Sequence, residues 1–159
     1  MEIREAVDAD WAAIYPFWAA VVAAGETYAY PEDLTSEDAR RLWFGQGRVV
    51  VAADGDVVLG TAAMGPNRPG RGAHVATASF MVDPGHGGRG VGRALGEHVV
   101  AWAGEAGYQG IQFNAVVETN AAAVALWRSL GFTVVGTVPG AFRHALHGDV
   151  GLHVMYRPL

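Results

Sequence analysis

The chain has 159 residues, a formal net charge of −5 and no cysteine, and 51% of its residues are hydrophobic. This length predicts a single domain, residues 1–159, with enough apolar residues for a packed core. The basic residues are scattered, which argues against a nucleic-acid interface, and the lack of cysteine excludes disulfides and thiol nucleophiles. The chain starts without an apolar leader and has no run of about 18 apolar residues, so we expect a cytoplasmic protein without a membrane contact.

The first half of the chain alternates β patterns with two helical patterns. Apolar residues recur at helical spacing from Trp11 to Val22; we expect Pro16 to shift the start of this helix or to kink it, and Gly25 to end it. An aromatic loop over residues 25–31 follows. We expect strands over residues 3–6, 48–53, 57–64 and 74–82, and a second helix over residues 36–44.

The second half predicts a helix between two strands, then another helix and two final strands. A helical face runs from Val91 to Trp102, and Asn120 is the expected N-cap of the last helix, which ends at Gly131. We expect strands over residues 111–117, 132–138 and 150–156. The resulting order, β-α-α-β-β-β-α-β-α-β-β, is an α/β (α+β) arrangement with one βαβ crossover over residues 74–117.

Glycine is unusually frequent, with 22 residues, and six of them lie between Gly85 and Gly96, where a strand meets a helix. Such a segment turns several backbone N–H groups toward one point at a helix N-terminus, an arrangement that suits a phosphate or pyrophosphate. We therefore favour a phosphate-binding loop over the alternative of an ordinary flexible turn. The segment from Gly85 to Gly90 also matches the dinucleotide fingerprint G-x-G-x-x-G. This second interpretation is disfavoured because two residues separate the strand from the motif and because only one βαβ unit is present.

Two motifs together resemble the GCN5-related N-acetyltransferase (GNAT) family. The first is Val82-x-Pro84 followed by Gly88-Arg89-Gly90-Val91-Gly92-Arg93-Ala94-Leu95, which is similar to the family's acetyl-CoA pyrophosphate loop. The second is Asn120-x-x-Ala123-x-x-Leu126-Trp127-x-x-x-Gly131-Phe132. Their order and the order of elements resemble the family over nearly the whole chain. Residues 73–132 and the tail over residues 136–144 further resemble the branch that contains the azetidine-2-carboxylate (proline-analogue) acetyltransferases.

This resemblance implies a splayed mixed sheet of about seven strands with about four helices, and a pantetheine arm lying between the strands over 74–82 and 111–117. The implied contacts with acetyl-CoA are backbone pairing in the first of these strands, loop amides on the pyrophosphate, and contacts from the last helix. The implied cofactor residues are Met81, Val82, Gly87, Gly88, Arg89, Gly90, Val91, Gly92, Arg93, Asn120 and Trp127. Two of them depart from the family pattern. Gly87 stands where Gln or Arg is preferred, and Trp127 stands where many members carry the Tyr that protonates the departing thiolate.

The candidate catalytic residues are Asn114, Glu118 and His74. Asn114 interrupts an apolar strand pattern, so it is either a hydrogen-bonded core or surface amide or a site residue. The resemblance favours the site, because the proline-analogue branch carries a site Asn in its matching Phe-Asn-Ala segment. Glu118, His74 and Glu26 are candidate bases for the acceptor amine, with solvated surface groups as the alternative.

The candidate substrate-binding residues are Glu26, Tyr28, Thr77 and Arg143. Tyr28 and Tyr30 are candidate walls of an acceptor pocket, and Thr77 stands where the proline-analogue branch has a second site Asn. Arg143 is a candidate partner for a substrate carboxylate. We expect no metal site, because the histidines at 144, 147 and 153 lack a tight ligand spacing.

The resemblance predicts an enzyme that moves the acetyl group of acetyl-CoA to the amine of a small molecule or amino acid by direct attack on the thioester. No Ser-His-Asp or Cys-His arrangement that would form an acyl-enzyme is evident. Two alternatives stay open: a catalytically weak acyl-CoA-binding module, and an acetyltransferase for protein N-termini or lysines. The expected partner is a small-molecule amine, with no nucleic acid and no membrane, and a homodimer is left open.

Overall fold

The computed structural model describes residues 1–159 and contains one seven-stranded sheet with four α-helices. The strands are β1 (Glu2–Glu5), β2 (Arg48–Asp54), β3 (Val57–Pro66), β4 (Val75–Val82), β5 (Gly110–Val117), β6 (Thr133–His144) and β7 (Gly148–Pro158). The helices are α1 (Trp11–Ala24), α2 (Ser36–Phe44), α3 (Val91–Glu105) and α4 (Ala121–Ser129). The predicted fold class and order of elements are confirmed. No helix has the length and apolar character needed to cross a bilayer.

The sheet has the order β1-β2-β3-β4-β5-β7-β6, and all neighbouring strands are antiparallel except β4 and β5. This parallel pair is short, because only Val75 and Ala76 of β4 pair with β5. A bulge at residues 114–115 interrupts the pairing of β5 with β7 near the same point. The sheet therefore opens into a V whose closed end lies at Ala76 and whose open end faces the start of α3.

Apolar side chains cover both faces of the sheet. One face packs on α3 and α4, in a core that includes Leu95, Val99, Phe113, Trp127 and Phe132. The other face packs on α1 and α2, in a core that includes Ile14, Trp18, Trp43, Val51 and Met81. Because neighbouring residues of a strand point to opposite faces, the gap between β4 and β5 connects these two layers.

The structure departs most clearly from the sequence predictions in α1 and β6. α1 runs without interruption from Trp11 to Ala24 with Pro16 inside it, after a 3₁₀ turn at Asp8–Asp10, so Pro16 does not delay the start of the helix. β6 continues past the predicted end at residue 138 to His144. A register shift over residues 138–142 absorbs a proline and a glycine as a bulge, which a strand at the edge of a sheet tolerates.

Candidate functional site

The V between β4 and β5 contains a cavity of about 340 Å³, which is in the size range of small-molecule sites. Its lining reaches both faces of the sheet. Toward α1 and α2 lie Thr27, Tyr28, Ala29, Tyr30, Thr77 and Ser79. Toward α3 and α4 lie Ala78, Phe80, Phe113, Asn120, Ala123 and Trp127. The β5 bulge and the last two strands complete the wall with Asn114, Ala115, Val116, Val117, Phe142 and Leu152.

At the open end of the V, the loop between β4 and α3 presents a run of free backbone donors. Asp83 accepts a hydrogen bond from the Gly85 N–H at 2.9 Å and thereby fixes the turn that begins the loop. Gly88 and Gly90 both have φ angles of 76°, a left-handed conformation that glycine adopts without strain. None of the six N–H groups from Gly88 to Arg93 donates to another residue of the chain. Together with the positive end of the α3 dipole, these groups form a concave set of donors that fits a pyrophosphate.

The loop arginines are held by other residues. Arg89 pairs with Asp54 of the β2–β3 turn at 2.9 Å. Arg93 donates to the Ser129 hydroxyl at 2.9 Å and lies 3.6 Å from a carboxylate oxygen of Glu97. The unpaired donors of the loop are therefore backbone groups.

The backbone of Phe80 faces the gap between β4 and β5. Its N–H donates to the Tyr28 hydroxyl at 2.8 Å, and this hydroxyl donates to the Phe80 carbonyl at 2.6 Å. Because backbone groups alternate in direction along a strand, those of Met81 point to β3, where this residue is paired with Thr61. The predicted pairing role of the Met81 backbone is thus corrected: Phe80 and Val82 face the gap, and the Met81 side chain lies in the core under α1.

The predicted aromatic wall is part of the cavity. Tyr28 stacks on Tyr30 at a centroid distance of 5.3 Å, and Tyr30 stacks on Trp18 at 5.4 Å. Gln46 donates to the Tyr30 hydroxyl at 3.3 Å and accepts from the Ser79 hydroxyl at 2.9 Å. Burial raises the pKa of both Tyr28 and Tyr30, so both phenols stay protonated at neutral pH.

Asn114 lies in the β5 bulge at the wall of the cavity. Its side chain is exposed, so the alternative of a core amide is excluded. Its Nδ2 donates to Asn67 Oδ1 at 2.6 Å, and its Oδ1 accepts from Gln112 Nε2 at 2.9 Å. The sequence analysis did not identify Asn67, which contacts Asn114 from the β3–β4 connection. No local sequence pattern predicts this contact.

A family model described as acetyltransferase (GNAT) family matches residues 11–132. The chain belongs to this family. It is accordingly a GNAT acetyltransferase that uses acetyl-CoA. A GCN5-related N-acetyltransferase from Kribbella flavida is 61% identical, with a TM-score of 0.96 over 99% of this chain and 97% of that chain. A Salmonella typhimurium protein solved with its cofactor acetyl-CoA is 29% identical, with a TM-score of 0.87 over 100% of this chain and 94% of that chain.

Two curated relatives have named activities. The L-methionine sulfoximine/L-methionine sulfone acetyltransferase of Salmonella typhimurium is 33% identical over 146 residues, which cover 87% of this chain and 84% of the relative. The N-acetyltransferase aca1 of Schizosaccharomyces pombe is 36% identical over 86 residues, which cover 54% of this chain and 41% of that protein. The match thus spans less than half the length of the fission-yeast relative.

In this GNAT acetyltransferase, α4 borders the cavity as the sequence predicts. Asn120 Oδ1 accepts from the Ala123 N–H at 3.2 Å, which confirms Asn120 as the N-cap. The Trp127 ring packs on Phe80 and Phe113 at centroid distances of 4.6 and 4.8 Å. A side chain at Gly96 would place its Cβ 2.9 Å from the Trp127 ring, so this glycine allows α3 to pack closely on α4.

The candidate carboxylates of the GNAT site do not line the cavity. Glu118 Oε1 accepts from the Gly151 N–H at 2.6 Å and is therefore turned onto β7. Glu26 is exposed next to the end of α1. Neither carboxylate faces the gap between β4 and β5, in contrast to Thr77, which does line it.

The two other candidates, His74 and Arg143, are also outside the cavity. His74 is exposed and precedes the closed end of the V. The Arg143 side chain is 88% exposed and pairs with Asp149 at 3.1 Å. No group of three or more His, Cys, Asp or Glu residues lies together in a way that could hold a metal ion.

Proposed function

We propose that this GNAT acetyltransferase transfers the acetyl group of acetyl-CoA to the amine of a small molecule, by direct attack of the neutral amine on the thioester. The observation that carries this proposal is the cavity in the V. It has the volume of a small ligand, and it joins the face of the sheet covered by α3 and α4 to the face covered by α1 and α2. Donor and acceptor would therefore meet inside the gap from opposite faces.

On the donor side, the free N–H groups from Gly88 to Arg93 would hold the pyrophosphate of acetyl-CoA. Val82 would offer backbone groups to the pantetheine arm, and Asn120 and Trp127 would border it from α4. Acetyl-CoA supplies an activated acetyl thioester when it is bound.

On the acceptor side, the chain supplies an uncharged environment and directional hydrogen bonds. Desolvation lowers the pKa of an ammonium group, so an amine loses its proton more readily in this cavity than in water. The Asn114 carboxamide would orient this amine or a bridging water. The Tyr28 hydroxyl, which burial keeps protonated, is the candidate proton donor to the departing thiolate in place of the Tyr that the family often carries at Trp127.

A second acceptor class is free amino acids. The resemblance to the proline-analogue branch supports it, as does the printed activity of the Salmonella typhimurium relative on L-methionine sulfoximine and L-methionine sulfone. Protein N-termini and lysines are a third class, which an aromatic wall on one side and a 340 Å³ volume disfavour.

The test is a screen of small amines, amino acids and lysine-containing peptides with acetyl-CoA, in which thiol release is followed together with the mass of the acetylated product. We expect acetyl adducts on small amines and thiol release that depends on the amine. Adducts on peptides alone, or thiol release that no amine accelerates, would contradict the proposed acceptor class.

A further inference from the structure

The wall of the cavity carries no fixed charge. None of its 18 residues is Asp, Glu, Lys, Arg or His. Its ionisable side chains are the phenols of Tyr28 and Tyr30, and burial raises the pKa of each, which keeps both neutral at physiological pH. A ligand inside this cavity therefore meets only apolar groups and neutral dipoles.

Three arginines lie close to the wall. Arg128 follows the lining residue Trp127, but it is exposed. Arg143 follows the lining residue Phe142, but its side chain is 88% exposed and is paired with Asp149. Arg68 donates to the backbone carbonyl of Asn67 at 3.0 Å and to its Oδ1 at 3.4 Å, the oxygen that also accepts from Asn114. None of these arginines lines the cavity.

Some of the neutral polar groups of the wall are already engaged within the protein. The Tyr28 hydroxyl is bonded to Phe80. The Ser79 hydroxyl donates to Gln46, and the Asn120 carboxamide oxygen caps α4. A carboxylate in this cavity would lose its hydration and gain no cation from the wall, which is strongly unfavourable for an ionised group.

We infer that the acceptor is an amine that carries no carboxylate, so that free amino acids are poor acceptors. This inference rests on the proposed function, because it takes the cavity as the place where the acceptor amine binds. An amine with an apolar or aromatic body leaves no charge unpaired there. The stacked rings of Trp18, Tyr30 and Tyr28 present it with a flat aromatic surface, with Thr77 and Asn114 as neutral hydrogen-bonding partners.

The experiment compares acceptors that differ only in the carboxylate. The pairs are pyrrolidine with L-proline and phenethylamine with L-phenylalanine, and L-phenylalaninamide keeps the substituent without the charge. Values of kcat/KM, taken at saturating acetyl-CoA and expressed per concentration of neutral amine, should be about 10²-fold or more higher for the carboxylate-free member. The amide should behave like the amine. An amino acid that equals or exceeds its partner overturns the inference.

Two controls keep the inference separate from the proposed function. Arg68→Ala should change both members of each pair by less than about twofold; a selective loss for the amino acid of about tenfold or more would show that a cation reaches the acceptor, and would overturn the inference. If no member is acetylated, the proposed function fails, and saturation-transfer NMR on the CoA-bound protein decides the inference by itself. Stronger binding of phenethylamine than of L-phenylalanine supports it, and the reverse order overturns it.

Discussion

Asn114 provides a test of how the acceptor is positioned. Its carboxamide can make four hydrogen bonds, and the structure uses two of them, with Asn67 at 2.6 Å and with Gln112 at 2.9 Å. One N–H and one oxygen lone pair remain for the acceptor amine or for a bridging water. Because the side chain is exposed in the bulge, Asn114→Ala should change the free energy of unfolding by less than about 0.5 kcal/mol.

The two remaining hydrogen bonds set the size of the kinetic effect. A neutral hydrogen bond contributes about 0.5–1.5 kcal/mol net, so the loss of two from the transition state costs about 1–3 kcal/mol. This range corresponds to about a 5- to 150-fold decrease in rate. If both bonds are made in the transition state, we expect Asn114→Ala to lower kcat/KM for the amine by about 10²-fold.

The assay combines thiol-release kinetics on the best amine, calorimetry with acetyl-CoA and a melting curve, all on one preparation. Acetyl-CoA affinity should stay within about twofold, because the loop and Asn120 do not contact Asn114. Asn67→Ala removes a partner of Asn114 but leaves its carboxamide in place, so it should retain more activity than Asn114→Ala. Normal kcat/KM in Asn114→Ala, with or without a lowered Tm, would refute the positioning role.

Three further predictions address the loop, the proton donor and the stability of the fold. Gly90→Val and Gly107→Val both introduce a side chain into open space at a positive φ, so each should lower the free energy of unfolding by about 1–2 kcal/mol or more. Only Gly90→Val should also weaken acetyl-CoA binding in calorimetry, by about 10²-fold or more. Equal affinities would contradict the loop assignment. Tyr28→Phe should lower kcat by about 10²-fold through loss of the proton donor, whereas Tyr30→Phe should stay within a few-fold; equal effects in thiol-release assays would reject Tyr28 as the acid. Hydrogen bonds from Arg4 lower the pKa of Asp10, so Asp10 adds stability above its ordinary pKa, and this contribution is lost as the pH falls through the lowered value. Asp10→Asn should therefore lower the free energy of unfolding by about 1.5–3 kcal/mol at pH 7, with a shrinking difference below about pH 4 in denaturant titrations; a difference that is independent of pH would contradict this.

The conformation of the loop between β4 and α3 could be predicted from the sequence because its determinants are local. The conformations at Gly88 and Gly90 require glycine, and the free N–H groups follow from the start of a helix immediately after them. The Asn120 cap is likewise a contact within four residues. Periodicity and capping residues act over such distances, so a single sequence contains the necessary information.

The acceptor side depends on contacts between distant segments, which no local pattern encodes. The hydroxyl of Tyr28 reaches the backbone of Phe80 across 52 residues, and Asn67 reaches Asn114 across 47. The direction of the β4 backbone groups depends on the register with β3, and a shift of one residue exchanges Phe80 for Met81. The position of the strand was therefore predicted correctly, but the backbone that faces the gap is that of Phe80 and not that of its neighbour Met81.

The charged candidates Glu118, Glu26, His74 and Arg143 all lie outside the cavity, and the reason is energetic. The gap in the sheet opens between two apolar layers, where an ionised side chain without a partner is strongly disfavoured, so such residues remain in solvent or pair at the surface. A prediction of the catalytic base from sequence favours ionisable residue types, which this kind of site excludes.

In such a site, desolvation of the amine takes over the task that a carboxylate base performs in a polar site, because desolvation directly favours the neutral, nucleophilic form of the amine. The pH dependence of transfer should then follow the pKa of the acceptor amine more than that of any protein carboxylate. The same uncharged wall that promotes the nucleophile also rejects an acceptor carboxylate, so reactivity and selectivity have one physical origin.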